Sequence, residues 1–373
     1  MYAQAISLFF ITIPTVHWVR CMLSSKVFER ARVQDEPPTM ETVILLPMRN
    51  ERKWCELKIS EVLVEILPHP EVKIVIIDSD SKDDTATICQ RILEDSKLDG
   101  SRWELVETEI LGKSLAVNMA IEGFSADVMV MMDADTKSND GWLSEIWSTF
   151  CDDEIAVVSG LEKHEGFGAR MTYKNSSDKI RIVESGGDST PIVEGGLIAW
   201  RGDYMQGFRL NANLNADDAQ LALECIRRGF RSVVNPALTF EDRKSADSDY
   251  RRSIRRSQGL SRALTSNIDL ILTAPRKGAG RSVGIAFSTY VLVPWSLLLF
   301  SVASPFVVNL SEIGASLSWG MMNCIFFIML LSLPQGRAMI WGSMISLISH
   351  CQYMVGKNHA VWDPGLDSNN EGE

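Results

Sequence analysis

Val128-Met-Val-Met-Met132 runs directly into Asp133-Ala-Asp135-Thr136. Five apolar residues with no polar alternation read as a strand buried on both faces, as in parallel sheets covered by helices. Two carboxylates placed straight after such a strand have no structural need to be there. Ligands of open α/β sheets lie beyond the carboxyl ends of strands, so this turn is the first place to look for chemistry.

The pattern repeats upstream. Val72 to Ile77 is a β-branched run that ends in Asp78-Ser-Asp-Ser-Lys-Asp-Asp-Thr85, and Val43-Ile-Leu-Leu46 ends in Pro47-Met-Arg-Asn-Glu51. Between them, Ile59, Val62, Leu63 and Ile66 have helical spacing, and Asp84 to Leu93 and Leu115 to Gly123 read as further helices. Strand and helix in alternation predict a parallel α/β sheet. Asp83 and Asp84 stand before a helical run and read as caps. Asp133 and Asp135 are better explained by a hard divalent cation, Mg²⁺ or Mn²⁺. Such an ion takes oxygen ligands from one or two carboxylates and from the phosphates of its ligand.

Composition closes other routes. The chain has 373 residues and a formal net charge of −11, without the basic footprint of a general nucleic-acid binder, so no nucleic-acid partner is expected. Its seven cysteines are scattered with no C-x-x-C, and its five histidines form no H-E-x-x-H, which argues against a disulfide framework and a zinc centre. There is no Walker A sequence, and no G-x-G-x-x-G follows a strand, which sets aside P-loop NTPases and dinucleotide dehydrogenases.

Charge is unevenly spread. Ala3 to Val19 carries none and is followed by Arg20, Lys26, Arg30 and Arg32, the reverse of a signal peptide's order. An anchor that spans, or one that lies in the interface, fits this segment. Gly284 to Leu310 is uncharged and long enough to span, with Pro294 and Pro305 as tolerated kinks. Ile313 to Gly336 is a second such run, and Ala338 to Gly356 a weaker third. Arg276, Lys277 and Arg281 precede the apolar region, and the loop at Glu312 is nearly uncharged. By the positive-inside rule the charged part faces the cytoplasm of a multi-pass protein of the cell membrane. The expected organisation is an anchor over 1–24, a cytoplasmic catalytic domain over 40–265, a membrane region of two or three helices over 284–356 and an acidic tail over 357–373.

Further segments complete the set. Gly112-Lys113-Ser-Leu-Ala-Val-Asn118 opens a helix, Gly195-Gly196 is followed by Arg201, and Ala216-Asp-Asp-Ala-Gln-Leu-Ala-Leu223 leads to Arg227-Arg-Gly-Phe230. Together with the three strand ends, these resemble, in order and spacing, a family 2 glycosyltransferase of the GT-A fold. The resemblance runs from about Val43 to Arg262 and extends to lipid-directed, ceramide-glucosyltransferase-like and polysaccharide-synthase-like members. It implies a mixed, mainly parallel α/β sheet flanked by helices, with N- and C-terminal transmembrane helices. It also implies residue roles. Pro47 and Glu51 would shape the nucleotide pocket and Asp78 would contact the base. Lys113 would lie near the phosphates, Asp133 on the ribose or metal side, and Asp135 on the metal. Gly195, Gly196, Arg201 and Asp217 would border the acceptor, and Asp218 would be the general base. Arg252 and Arg255, in Tyr250-Arg-Arg-Ser-Ile-Arg-Arg-Ser-Gln-Gly259, would hold the diphosphate.

The sequence departs from the family at Arg256, where a tryptophan commonly stacks on an acceptor sugar, and at Ser79-Asp80, where the family often has Asp-Gly. The first departure argues against processive polymer synthesis. Trp200 is a candidate for the acceptor site or the core, and His164 and Phe167 for a lid. The resulting expectation is an inverting, metal-dependent hexosyltransferase that uses a nucleotide diphosphate sugar, a UDP-sugar above others, and a lipid or lipid-linked glycan acceptor. The alternative is a catalytically silent nucleotide-sugar-binding scaffold on the same fold. A sugar nucleotidyltransferase would need a Gly-rich basic loop where Pro47-Met-Arg-Asn-Glu51 stands.

Overall fold

The computed structural model describes residues 2–29, 37–164, 166–243, 249–303 and 331–358. Eight strands form one sheet: β1 (Thr42–Met48), β2 (Val72–Ser79), β3 (Trp103–Thr108), β4 (Val128–Met132), β5 (Thr136–Ser138), β6 (Ile155–Glu162), β7 (Leu197–Arg201) and β8 (Arg231–Asp242). Their order is β3-β2-β1-β4-β7-β6-β8-β5. β3, β2, β1 and β4 are mutually parallel, β7 runs antiparallel to both β4 and β6, and the short β5 is antiparallel to β8.

Alternation along each strand builds two cores, one on each face of the sheet. Ile44, Leu46, Ile74, Ile76, Val128, Val130 and Met132 face one side. There they meet helices α2 (Cys55–Ile66), α3 (Thr85–Asp95) and α5 (Trp142–Thr149), chiefly through Ile59, Val62, Leu93, Trp142 and Trp147. Val43, Leu45, Val75, Ile77, Met129 and Met131 face the other side and meet α4 (Lys113–Gly123) and α7 (Asp217–Arg227). Burial of one such side chain contributes about 1.5–3 kcal/mol, so strands this continuous are fixed in register by both layers. Trp200 is 2% exposed and belongs to this second core, which removes it from the acceptor site.

α7 has a second apolar face. Ala219, Leu223 and Ile226 pack on α8 (Asp249–Ser266), α9 (Leu270–Thr273) and α10 (Lys277–Phe287) through Ala263, Leu264, Leu270, Ala279 and Val283. Helix α6 (Ala169–Gly187) lies beside β8.

Three apolar helices surround this domain. They are α1 (Tyr2–Leu23), α11 (Val293–Ala303), which continues α10 through a wider π turn at Ser288–Leu292, and α12 (Pro334–Met354). Ile11, Val293 and Leu297 pack together with Met339. Among the described residues one helix, Lys277–Leu299, is long and apolar enough to cross a membrane by length and composition, and Phe10–Leu23 is a shorter apolar helix. The expected second run, Ile313 to Gly336, is outside the described residues as far as 330. Arg30, Arg32, Pro305, Glu312 and the tail beyond 358 are also outside them. The weaker run, Ala338 to Gly356, falls mostly on α12, which packs against α6 and α8. Tyr173 meets Trp341 at 5.4 Å between ring centres, and Gln258 Nε2 donates to the Ser349 carbonyl at 3.3 Å. Helix α1 is tied to α6 by His17 Nε2 and Glu184 Oε1, 3.1 Å apart.

Candidate active site

The loops after β1 and β2 are laced to each other by side chains taking backbone N–H groups. Asn50 N donates to Ser81 Oγ at 2.9 Å, Lys82 N to Asn50 Oδ1 at 2.7 Å, and Glu51 N to Thr85 Oγ1 at 2.9 Å. Pro47 and Asp78 end up at neighbouring strand ends, because Pro47 is in register with Ile77 and Met48 with Asp78. The Asp78 carboxylate is 4% exposed and accepts from Ser81 N at 3.1 Å and Ser81 Oγ at 2.5 Å. Asp80 has φ +56°, the left-handed region in which Asp is tolerated and Gly preferred. That backbone demand suits the glycine that the resemblance leads one to expect at this place. Asp83 caps α3 by accepting from Thr85 N at 3.0 Å, whereas Asp84 pairs with Arg52 at 3.0 Å on the surface.

The centre of the cleft is a cluster of charges drawn from three distant segments. Lys113, at the first turn of α4, donates to Asp133 at 2.6 Å and stands 3.6 Å from Asp217. Asp217 also accepts from Ser114 Oγ at 2.6 Å. Asp218 is half-buried in the first turn of α7 and accepts from Ala219 N at 2.7 Å. A Cβ added to Gly195 would lie 3.9 Å from Asp218 Oδ2, so the chain passes the carboxylate with no side chain between them. Desolvation raises the Asp218 pKa and the neighbouring Asp217 adds to this. The Ala219 N–H, Arg256 and Lys113 pull the other way, and the outcome is about 6. Lys113 is held charged: burial opposes its charge, but Asp133 and Asp217 outweigh it.

Asp135 is half-buried, and its carbonyl accepts from Arg243 N at 2.8 Å. The turn it shares with Asp133 is braced by Thr136, whose hydroxyl donates to the Asp133 carbonyl at 2.9 Å. The same hydroxyl lies 3.2 Å from the Gly196 carbonyl. A Cβ at Gly196 would overlap the Phe240 ring, so only glycine fits there. Behind the turn lies Lys58, 0% exposed, with Nζ 3.1 Å from the Thr136 carbonyl and 3.3 Å from Glu61. Burial depresses its pKa, and Glu61 acts in the opposite direction. Asp133, Asp217 and Asp218 thus gather around Lys113, and Asp135 follows Asp133 by two residues in the same turn. Asp133 and Asp135 are hard oxygen donors of the kind that would hold a divalent cation together with a phosphate-bearing ligand.

Arg252 and Arg255 lie on α8. Arg252 pairs with Asp242, which is in register with Thr136, so this guanidinium stands beside the turn after β4. Arg255 is half-buried one turn further along. Gly259 lets α8 ride on the loop before α7, since a Cβ there would overlap the Asn215 carbonyl.

Arg201 is a correction. It is in register with Val128, at the end of β4 opposite Asp133. Its guanidinium binds the carbonyls of Phe150 and Ile155, together with Asp153 at 3.2 Å. An Arg that closes the far ends of strands cannot line the acceptor site.

The sequence also hid a buried ionic network beside β6. Glu162 bonds Lys174 at 2.8 Å, and His164 stands 3.4 Å from both Glu162 and Asp178. Arg181 bonds Asp178 and, at 2.6 Å, Glu194. Glu162, His164 and Glu194 approach closely enough to share an ion, but Lys174 and Arg181 already neutralise the two carboxylates. His164 is therefore fixed in place, while Phe167 is fully exposed. The burial of Lys58 and the pairing within this network were not anticipated. Some partners are close in the chain, as with Glu61 for Lys58 and Asp178 for Arg181, but Thr136 and Glu194 are brought to them only by the fold.

Comparison with known proteins agrees with this geometry. Residues 43–204 match the model of the family Glycosyl transferase family 2. No curated protein matches the chain in sequence. Among solved structures it is similar to "Mannosyltransferase PcManGT from Pyrobaculum calidifontis in complex with GDP-Man and Mn2+". The TM-score is 0.76 at 20% identity, over 94% of this chain and 99% of the other. It is also similar to S. aureus TarS 1-349 in complex with UDP-GlcNAc, with a TM-score of 0.50 at 14% identity, over 85% of this chain and 93% of the other. Its mixed sheet with flanking helices is of GT-A type, and it is over residues 43–204 that the chain is similar to glycosyl transferase family 2.

Proposed function

We propose that the protein is an inverting glycosyltransferase that moves a hexose from a nucleotide diphosphate sugar to a hydroxyl of a lipid or lipid-linked acceptor at the cytoplasmic face of a membrane. The observation that carries this reading is the Asp218 carboxylate. Its pKa is raised to about 6, so it is ionised at neutral pH yet basic enough to take a proton. It faces the Gly195 backbone and lies across the cleft from the turn after β4.

In this reading Pro47, Glu51 and Asp78 hold the nucleoside, and Asp133 and Asp135 would hold Mg²⁺ or Mn²⁺. Such an ion supplies neutralisation of the charge that grows on the departing diphosphate. Lys113, Arg252 and Arg255 stand where cationic donors support the same charge. Asp217, held by Ser114 and Lys113, keeps Asp218 company and raises its basicity. One base, with no dedicated second nucleophile among the described residues, gives a single in-line displacement with inversion. Donor candidates include both GDP- and UDP-sugars, since the two similar structures carry GDP-Man and UDP-GlcNAc. The membrane reading is supported by the helix Lys277–Leu299 and by the basic residues Arg276, Lys277 and Arg281 at its start.

The test uses membranes containing the full chain, Mn²⁺ or Mg²⁺, a panel of UDP- and GDP-sugars and extracted lipid. Lipid-stimulated release of nucleoside diphosphate from one donor is expected, and it is lost in Asp135→Asn and Asp218→Asn. Full activity of either variant, or release that ignores added chelator, would sink the mechanism.

A further inference from the structure

Helix α2 lies against the short strand β5, and there it carries a charged pair, Lys58 and Glu61, one turn apart. An apolar residue at 58 would have continued the buried face of Ile59 and Val62 at no cost. A buried charge is costly unless it is paired and hydrogen-bonded throughout, and here it is. Lys58 Nζ has three acceptors, one for each hydrogen of an ammonium. They are the Thr136 carbonyl at 3.1 Å, the Thr136 hydroxyl at 3.4 Å and Glu61 Oε1 at 3.3 Å. Because an ammonium only donates, the Thr136 hydroxyl receives from it and turns its own hydrogen toward the Asp133 carbonyl, 2.9 Å away. Glu61 uses both oxygens. Oε1 also accepts from Ser138 N at 2.8 Å, and Oε2 accepts from Arg243 Nη2 at 2.8 Å. Arg243 in turn donates its backbone N–H to the Asp135 carbonyl at 2.8 Å. The pair therefore holds the turn after β4 at Asp135 itself, through Arg243, and just beyond it, at Thr136 and Ser138. One turn further along α2, Glu65 accepts from Gly141 N and Leu143 N, both at 3.2 Å.

We propose that Lys58 and Glu61 are positioning residues for the metal-binding turn, fixing the backbone around Asp135 so that its carboxylate is already placed for a divalent cation bound together with the nucleotide's phosphates. This rests on the transferase reading above, in which Asp133 and Asp135 hold that ion. Asp133 has a side-chain partner of its own in Lys113, at 2.6 Å. The backbone at Asp135 depends on the brace. Two effects of Lys58 oppose each other. Its charge acts on Asp133, and a cation behind the turn repels a second cation in front of it. As a brace it favours the ion, because a ligand fixed in advance loses less freedom on binding. The three bonds from Lys58 and Glu61 to the turn and the strand after it make the brace the larger effect.

The test measures binding of UDP and of GDP to the detergent-solubilised full chain by calorimetry, with Mn²⁺ and with chelator. Wild type is expected to bind at least one of them about 10-fold or more tightly with Mn²⁺. Lys58→Met, unbranched and of similar length, is expected to bring that gain down to about 1–3-fold. Glu61→Gln keeps an oxygen for Ser138 N but no charge for Lys58 and Arg243, and is expected to reduce the gain about 3-fold. Without Mn²⁺ both variants bind nucleotide within about 2-fold of wild type. The start of α2 is held independently by the Glu51 carbonyl, which accepts from Cys55 N at 2.8 Å. Arg201→Met serves as the comparison, since it removes buried bonds at the far ends of the strands. It lowers the unfolding midpoint and leaves the gain unchanged. The proposal is overturned by a gain that is unchanged or larger in Lys58→Met, or that falls equally in Arg201→Met. If Lys58→Met does not fold, an unchanged gain in Glu61→Gln overturns it alone. A wild type that binds nucleotide equally with and without Mn²⁺ overturns the proposal and leaves the nucleotide site standing. A wild type that binds neither nucleotide overturns the transferase reading with it.

Discussion

On the side of β1, β2 and β4 the cleft is made of strand ends. Asp78, Asp133 and Asp135 are placed by the register of adjacent parallel strands, and short-range turns such as Ser81 to Asp78 finish the work. On the side of β6 the cleft is made of ion pairs between residues far apart, with Arg181 reaching Glu194 and Lys174 reaching Glu162 behind the loop that carries Gly195. The first side owes its strand register to apolar burial, with Lys113 on Asp133 and Lys58 behind Thr136 as its charged braces. The second depends on buried charges, which are costly to desolvate and costlier to leave half-paired. A single scaffold therefore joins a side placed mainly by strand register to a side held mainly by ion pairs, which the proposed function reads as the nucleotide and acceptor ends.

Three measurements break or sharpen that contrast. The largest effect is expected in the pH profile of kcat/KM. Asp218 must be ionised to accept a proton, and its pKa is raised to about 6. The rate should therefore fall about tenfold per unit as the pH drops below that value. A flat profile down to pH 4 (about the usual carboxylate value) would remove Asp218 from the base role. Next comes Arg181→Met, which strands Asp178 and Glu194 in a site where Arg181 is 7% exposed. A loss of about 3–5 kcal/mol is expected, read as a lowered unfolding midpoint of the solubilised chain. Stability equal to wild type would mean that the acceptor end is held by packing after all. The smallest effect belongs to Arg52→Ala on the nucleotide side, because the Arg52–Asp84 pair is mostly exposed. A change of about 0–1 kcal/mol is expected, and a larger one would show that the nucleotide side also leans on charge.

The same contrast explains what could be read in the chain. Val128 to Met132 followed by Asp133 and Asp135 displays strand, burial and chemistry within a few residues, so the parallel half and its carboxylates were legible. Asp218 was singled out by the resemblance of Ala216 to Leu223 to a family motif, and it stands in the first turn of α7. Arg201 was misread because its position after an apolar strand looks the same whichever way that strand runs. The antiparallel pairing of β7 with β4 carries it to the wrong end. Lys58 stood out in the chain only as the residue before a helically spaced run, and it is a buried brace for Thr136. Arg256 was noticed as an irregularity in a motif, and its meaning came only with the carboxylates that α6 and β6 bring beside it.

Gly259 touches no reacting group, yet α8 can rest on the loop before Asp217 only because this residue has no side chain. A library of random substitutions screened for sugar transfer would score position 259 as harshly as a catalytic one. Mutational sensitivity in this protein thus maps two things at once, where protons and charges move and where two backbones come closest. Only the first belongs to the chemistry.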